Sequence, residues 1–329
     1  MKGKPEDVIL KILRFIQRGL VFAGLGLSMH PLAVFADTFG SLDLDTVDGS
    51  GMAGLVGDSH AITSMVWNPA ALGFDASQAA FVAYGDYLFT VKTFALGYRG
   101  HLGRVGIGAF TTHLTSGDLA HTTGNDPAGE IGRTFTYGET TIAVGGGLRV
   151  LRGIALGGCI KTTGVEIDDY RARATVLDLG VMVNLGQFMR TGSGTWDLNV
   201  AVVRRSMALA VSRDAVDPRT SLEIGIACLQ SDGVAVGVSW LGKSHGRAEV
   251  RAGIRVKASP DFRFMLGYRR RIGRFSDASQ DFPWHRGLNG GFGVRFGECW
   301  LGYDFEDAAP LDSIHRFSIK FEPSPSHSS

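Results

Sequence analysis

Among the residues able to do chemistry, the arginines form the most regular set. Arg251, Arg255, Arg263, Arg269, Arg295 and Arg316, with Arg149, Glu223 and Lys320, are spread over separate strand-like segments, most of them between apolar neighbours. If the apolar faces point outward, these side chains share an interior that is polar and net basic. A planar guanidinium pairs a carboxylate through two parallel hydrogen bonds, so such a wall could hold an acidic ligand. It could also hydrogen-bond a stretch of the chain folded inside it, and that is the preferred reading.

The other chemically capable groups do not assemble into a catalytic or metal-binding pattern. The nine histidines have no His-Glu-x-x-His or paired spacing, and His315, on the apolar side of its segment, reads as structural. Asp43, Asp45 and Asp48 precede Gly49 in the manner of a calcium loop, but Gly54 stands where the bidentate Glu is needed. Cys159, Cys228 and Cys299 lie in separate segments, an odd number without metal spacing. Gly145-Gly146-Gly147 is no phosphate cradle, because it lies inside strand-like text with no helix after it. No Gly-x-Ser-x-Gly elbow occurs. The mixed charges Lys161, Glu166, Asp168, Asp169, Arg171 and Arg173 read as a solvated rim. The expectation is a protein that is not an enzyme and carries no cofactor or metal. A net charge of +1 gives no pull toward nucleic acid.

What positions these charges is a strand pattern. From residue 78 onward, segments of about ten residues alternate apolar with polar or small, the period-2 signature of strands. There are about fourteen: 78–88, 91–99, 103–114, 139–150, 153–166, 172–185, 195–206, 220–230, 233–241, 247–257, 261–270, 286–296, 298–306 and 313–322. In the last, Phe317, Ile319 and Phe321 oppose Arg316, Ser318 and Lys320. Near 247–257, Val250, Ala252, Ile254 and Val256 oppose Glu249, Arg251, Arg255 and Lys257.

Alternation alone fits either a soluble sandwich or a membrane barrel. Segment length favours the barrel, since a tilted membrane strand needs about 9–11 residues while sandwich strands average about 5–6. The loops agree. Long connections near 115–138, 207–219 and 271–285 follow odd segments, and short turns such as Ser259-Pro260 follow even ones, with one exception after the sixth segment, near 186–194, which is longer than a tight turn. Outer-membrane barrels carry long loops outside and short turns in the periplasm, which puts both termini in the periplasm. The final segment ends at Phe321 before a short tail, as in a strand presented to barrel-insertion machinery. Tyr84, Tyr98, Phe110, Trp240, Tyr268, Trp300, Tyr303 and other aromatics are expected on apolar faces or in two interfacial girdles. The 46 glycines are scattered through the strand-like text and are not gathered into linkers.

The N-terminal region differs. Lys2, Lys4, Lys11, Arg14 and Arg18 precede an apolar stretch ending Val34-Phe35-Ala36, which predicts a signal peptide over 1–36 cleaved after Ala36. Residues 37–77 lack strand texture. They read as a hatch or plug: a small-residue helix around 51–57, then a loop closed by Asn68-Pro69. The barrel occupies 78–322, and 323–329 is a tail.

Two stretches resemble a known family. Gly51-Met52-Ala53-Gly54-Leu55-Val56-Gly57-Asp58, followed by Trp67-Asn68-Pro69-Ala70-Ala71-Leu72, is similar to the N-terminal signature of the FadL-like superfamily of outer-membrane barrels. Gly291–Phe296, Leu301–Phe305 and His315–Phe321 resemble the final three strands of its PorV/PorQ branch, and an uncharacterised spirochaete family of FadL-like barrels shares the texture. The resemblance covers both ends of the chain. It implies a 14-stranded barrel with an N-terminal hatch containing Asn68, Pro69 and Ala70. It also implies passive uptake of long-chain fatty acids or other hydrophobic molecules, with a fatty-acid-like ligand, outer-membrane lipid and the insertion machinery as partners and a monomer as the assembly. The chain is short and has Ala71 where the motif prefers Gly. The alternative function is a PorV-like scaffold associated with secretion, or a surface antigen, without transport.

Overall fold

The computed structural model describes residues 52, 54–58, 63–74, 77–87, 91–120, 132–187, 196–212, 218, 220–230, 233–243, 247–273, 287–307 and 313–323. The predicted signal peptide, the Asp43–Gly49 stretch and residues 324–329 lie outside them. Fourteen antiparallel strands close into a barrel. In chain order they are β1 (Ala79–Tyr87), β2 (Val91–Leu102), β3 (Val105–Thr115), β4 (Tyr137–Leu151), β5 (Ile154–Ile167), β6 (Tyr170–Asn184) and β7 (Trp196–Val211). The second half comprises β8 (Ser221–Gln230), β9 (Val234–Lys243), β10 (Arg247–Ser259), β11 (Phe262–Gly273), β12 (Leu288–Phe296), β13 (Cys299–Asp307) and β14 (Ser313–Phe321). Each strand pairs with its sequence neighbour, and β1 closes on β14 with Tyr84 opposite Phe317. Closure leaves no strand edge unpaired, the condition for a sheet in a lipid phase.

The side chains sort as the alternation requires, with apolar groups out and charges in. Leu96, Ile142, Val144, Ile160, Ile226, Val238 and Ile319 are exposed on the outer wall, while Glu139, Lys161, Asp178, Glu223, Arg251 and Asp304 are buried inside. A water-soluble sheet would show the reverse, so this is the wall of a membrane barrel. Among the described residues no helix is long and apolar enough to cross a membrane; the strands do so. One end carries the tight turns, and two of these reverse on glycines in the left-handed region, Gly103 (φ 61°) and Gly297 (φ 62°), as two-residue hairpins demand. The other end carries most of the longer connections, although β5 and β6 reverse there over Asp168-Asp169 and the longer β6–β7 connection, 185–195, lies at the first end. We call them the turn end and the loop end.

Three expectations are corrected. Strands β7 and β11 run on to Val211 and Gly273, so their loops are shorter than the sequence suggested. Within the first long loop, Leu119–Ala120 pairs with Thr134–Phe135 as a small ribbon. The aromatics do not divide between outer faces and two girdles. Phe81, Phe110 and Trp300 are buried inside the barrel. Outside, Phe94, Tyr84, Phe317, Tyr303, Phe292 and Phe264 stand directly opposite one another across β2, β1, β14, β13, β12 and β11, forming one continuous row. Strand tilt makes such a row oblique to the membrane plane.

Candidate functional site

The lumen is occupied by the chain's own N-terminal segment. A four-residue helix α1 (Ser64–Trp67) leads into a 3-10 turn over Pro69–Gly73. The helix expected around 51–57 is absent among the described residues. Gly54, at φ 68°, breaks it, and a turn with Asp58 N donating to Leu55 O takes its place. Gly54 also lies under Trp67, where a Cβ would come within 2.6 Å of the indole.

Asn68, Pro69 and Ala70 form the corner between the two short helical turns. The Asn68 side chain uses both ends of its amide. Its Oδ1 accepts from Ala70 N at 3.0 Å and its Nδ2 donates to Val56 O at 3.1 Å, tying the two halves of the plug together. Pro69 takes the first position of the 3-10 turn, where its missing N–H costs nothing and its fixed φ is already suitable. Ala70 is completely buried.

The wall is shaped to receive this corner. Gly106, Gly147, Gly157 and Gly180 lie side by side on β3, β4, β5 and β6, each in register with the next. All four face inward. A Cβ on Gly147 would stand 2.7 Å from Pro69 O, and one on Gly157 would overlap the backbone of Pro69 and Ala70. Gly106 is closed in the same way by Leu72 and Gly180 by Asn68. Across the lumen, Gly225, Gly237 and Gly253 receive Val56, Leu55 and Met52. Glycine weakens a strand interior; here it buys backbone-to-backbone contact with the plug. Val56, Met65, Val66, Trp67 and Leu72 then share an apolar cluster with Phe81, Phe110, Ala155, Met182 and Val203.

Polar side chains of the wall satisfy the plug's free carbonyls. Lys161 Nζ donates to Val66 O (3.2 Å), Arg205 Nη2 to Trp67 O (3.1 Å), Asn199 Nδ2 to Gly57 O (3.1 Å) and Arg251 Nη1 to Gly54 O (3.3 Å). At the turn end Arg149 donates to Gly73 O and Phe74 O. Asp58 forms a two-pronged ion pair with Arg255, 2.7 Å at its shorter arm. The Trp67 indole lies against two guanidinium groups, Arg205 at 4.7 Å and Arg251 at 4.9 Å from the ring centre.

These cations are balanced. From β7 to β14, charges alternate in sign: Arg205–Glu223 (2.6 Å), Glu223–Arg251 (3.6 Å), Arg251–Glu249 (2.6 Å), Glu249–Arg269 (3.4 Å), Arg269–Glu306 (3.2 Å), Glu306–Arg316 (2.8 Å) and Arg316–Asp304 (3.1 Å). Lys161 pairs with Asp178 at 2.7 Å. Charges buried this deeply are tolerated only when paired and hydrogen-bonded.

The predicted lumen charges therefore divide. Arg251 and Arg255 hold the plug. Arg269 and Arg316 belong to the alternating belt. Arg263 stacks on Trp300 at 4.1 Å, and Arg295 sits at the turn end, donating to Gly297 O. Carboxylates share the wall with these cations: Glu139, Asp178, Glu249 and Asp304 are buried in it, and Glu306 pairs with Arg269 and Arg316. Lys161 is likewise not on a solvated rim but buried in the wall. Its parity with Ala155, Cys159 and Val165 along β5 carried that information in the sequence. Arg205 and Asp58 had no such signal, since their roles depend on where the plug lies.

No family model matches the chain, and no curated protein matches it in sequence. Solved structures match its fold over nearly their whole length. They include the Pseudomonas putida toluene transporter TodX (12% identity, 87% of this chain and 99% of that one, TM-score 0.56). The monoaromatic hydrocarbon channel CymD (12% identity, 87% and 99%, TM-score 0.54) and a Pseudomonas aeruginosa FadL homologue (11% identity, 84% and 98%, TM-score 0.51) are also among them. The fold is that of a FadL-like outer-membrane barrel.

Proposed function

We propose that the protein lies in the bacterial outer membrane, after removal of residues 1–36, and admits hydrophobic small molecules passively, with long-chain fatty acids or small hydrocarbons as the class. The observation that carries this is the plug. A segment of the chain fills the lumen of a 14-stranded barrel without joining its sheet, held by side-chain hydrogen bonds, an ion pair and apolar packing. Barrels of this fold include proteins described as a toluene transporter and as monoaromatic hydrocarbon channels. The turn end then faces the periplasm and the loop end the exterior. Asn68, Pro69 and Ala70 form the corner of the hatch, and Arg251 and Arg255 are among its latches.

The test is uptake of radiolabelled oleate and of toluene by cells that express the barrel and lack their own hydrophobic uptake. Uptake should rise with expression of the wild type. It should fall when the hatch is locked to the wall by an engineered disulfide, and return on reduction. Uptake at background level in every case, with an exported protein co-purifying, would replace this reading with a scaffold that keeps the fold without transport.

A further inference from the structure

Beside the last turn of the plug, at the turn end, a cleft of about 460 Å³ opens between Leu72–Phe74 and the barrel wall. That volume lies within the range of small-ligand sites, about 300–1,000 Å³. Its polar lining is basic: His101 at the end of β2, Arg104 in the β2–β3 turn, Arg149 near the end of β4 and Arg152 in the β4–β5 turn. Arg149 is engaged with the plug carbonyls and packs over Phe74. Arg104 and Arg152 have no hydrogen-bond or ion-pair partner among the described residues, in a barrel whose other lumenal cations are mostly matched by carboxylates. The apolar lining is Leu72, Phe74, Val150 and Leu151, and Leu151 and the neighbouring Leu102 are largely exposed, at 60% and 69%. Basic groups above exposed leucines, at the level where the strands end, match an amphiphile with an anionic head and an apolar tail.

We propose that this cleft binds the phosphate or carboxylate head of one lipid molecule, with its acyl chain lying along Val150 and Leu151. The inference rests on the membrane orientation given above but not on transport. Arg104 and Arg152 supply the charge-assisted hydrogen bonds, and their forked donors suit a tetrahedral phosphate or a planar carboxylate equally. Arg149, already holding Gly73 O and Phe74 O, places the end of the plug against the bound head group.

The test uses the full-length mature protein in nanodiscs of phosphatidylcholine doped with phosphatidylglycerol, released into native mass spectrometry, with oleate as a second probe. Wild-type barrel should retain one phosphatidylglycerol, or one oleate, in preference to phosphatidylcholine. The Arg104→Gln/Arg152→Gln double variant should lose that preference by about tenfold or more. Arg173→Gln, at the loop end, should leave it unchanged. Displacement of phosphatidylglycerol by oleate identifies a travelling carboxylate; failure of oleate to displace it identifies a resident phospholipid. Equal retention of phosphatidylcholine, or wild-type retention by the double variant, overturns the proposal. Both turn positions lie outside the latches and the belt, so a heat-modifiable gel band verifies that the variant is folded. Oleate uptake, measured separately, tells failure of this site from failure of transport.

Discussion

At the residue scale, the glycines and one tryptophan determine whether the lumen is open or filled. Gly157 faces the plug, while Gly164 on the same strand has nothing within 4 Å of where its Cβ would lie. Gly157→Val should therefore expel or displace Pro69 and Ala70, costing about 1–3 kcal/mol of plug docking, whereas Gly164→Val should change stability by no more than about 0.5 kcal/mol. Protease cleavage between Met52 and Phe74, followed by mass spectrometry, reads the difference; equal protection in both variants would refute the glycine cradle. Trp67→Ala removes a buried indole and the face on which Arg205 and Arg251 rest. A loss of about 3–5 kcal/mol is expected, seen as faster amide exchange at Ala70 and Ala71 while the strand amides stay protected.

At the scale of elements, the belt of alternating charges joins six strands, β7, β8, β10, β11, β13 and β14, through side chains alone. Removing a carboxylate from it leaves a buried guanidinium uncompensated, which costs about 3–5 kcal/mol. Glu223→Gln should lower the urea midpoint markedly, because Glu223 is fully buried between Arg205 and Arg251. Glu166→Gln breaks an exposed pair with Arg171, worth about 1 kcal/mol or less, and should leave the midpoint almost unmoved. Similar shifts for the two variants would mean that the belt contributes no more than a surface pair does. The elements themselves were legible in the sequence: all fourteen predicted segments are strands, because one face of each must be apolar and the other polar. The strand ends were less legible, since β7 and β11 extend beyond their apolar stretches by pairing with a neighbour.

At the scale of the whole molecule, the barrel and its plug should be separable. The sheet closes on itself through backbone hydrogen bonds, and Arg205 and Arg251 keep Glu223 and Glu249 as partners when the plug is gone. Deletion of residues 37–77 from the mature chain is therefore expected to leave a folded barrel, shown by a band that shifts on boiling before electrophoresis. The emptied lumen should pass ions, with single-channel conductance well above that of the intact protein in planar bilayers. An unfolded deletion variant would show that the plug is part of the folding core.

The sequence by itself determined the architecture of the wall: fourteen strands, apolar outside and charged inside, with turns at one end and longer loops at the other. These are local matters, set by a two-residue period and by turn chemistry, and they survive without knowledge of any distant contact. It also showed that the stretch before residue 78 lacks the strand pattern, and the structure places the described part of that stretch, from Met52 to Phe74, inside the barrel. Only the tertiary structure decided why glycines line β3 to β6, which cations hold the plug, and that buried carboxylates balance the arginines. Each of those facts joins residues far apart in the chain, such as Asp58 with Arg255 and Trp67 with Arg205. No period in the sequence encodes such a pairing. It exists only once the sheet has closed and the segment that precedes it has folded into the space enclosed.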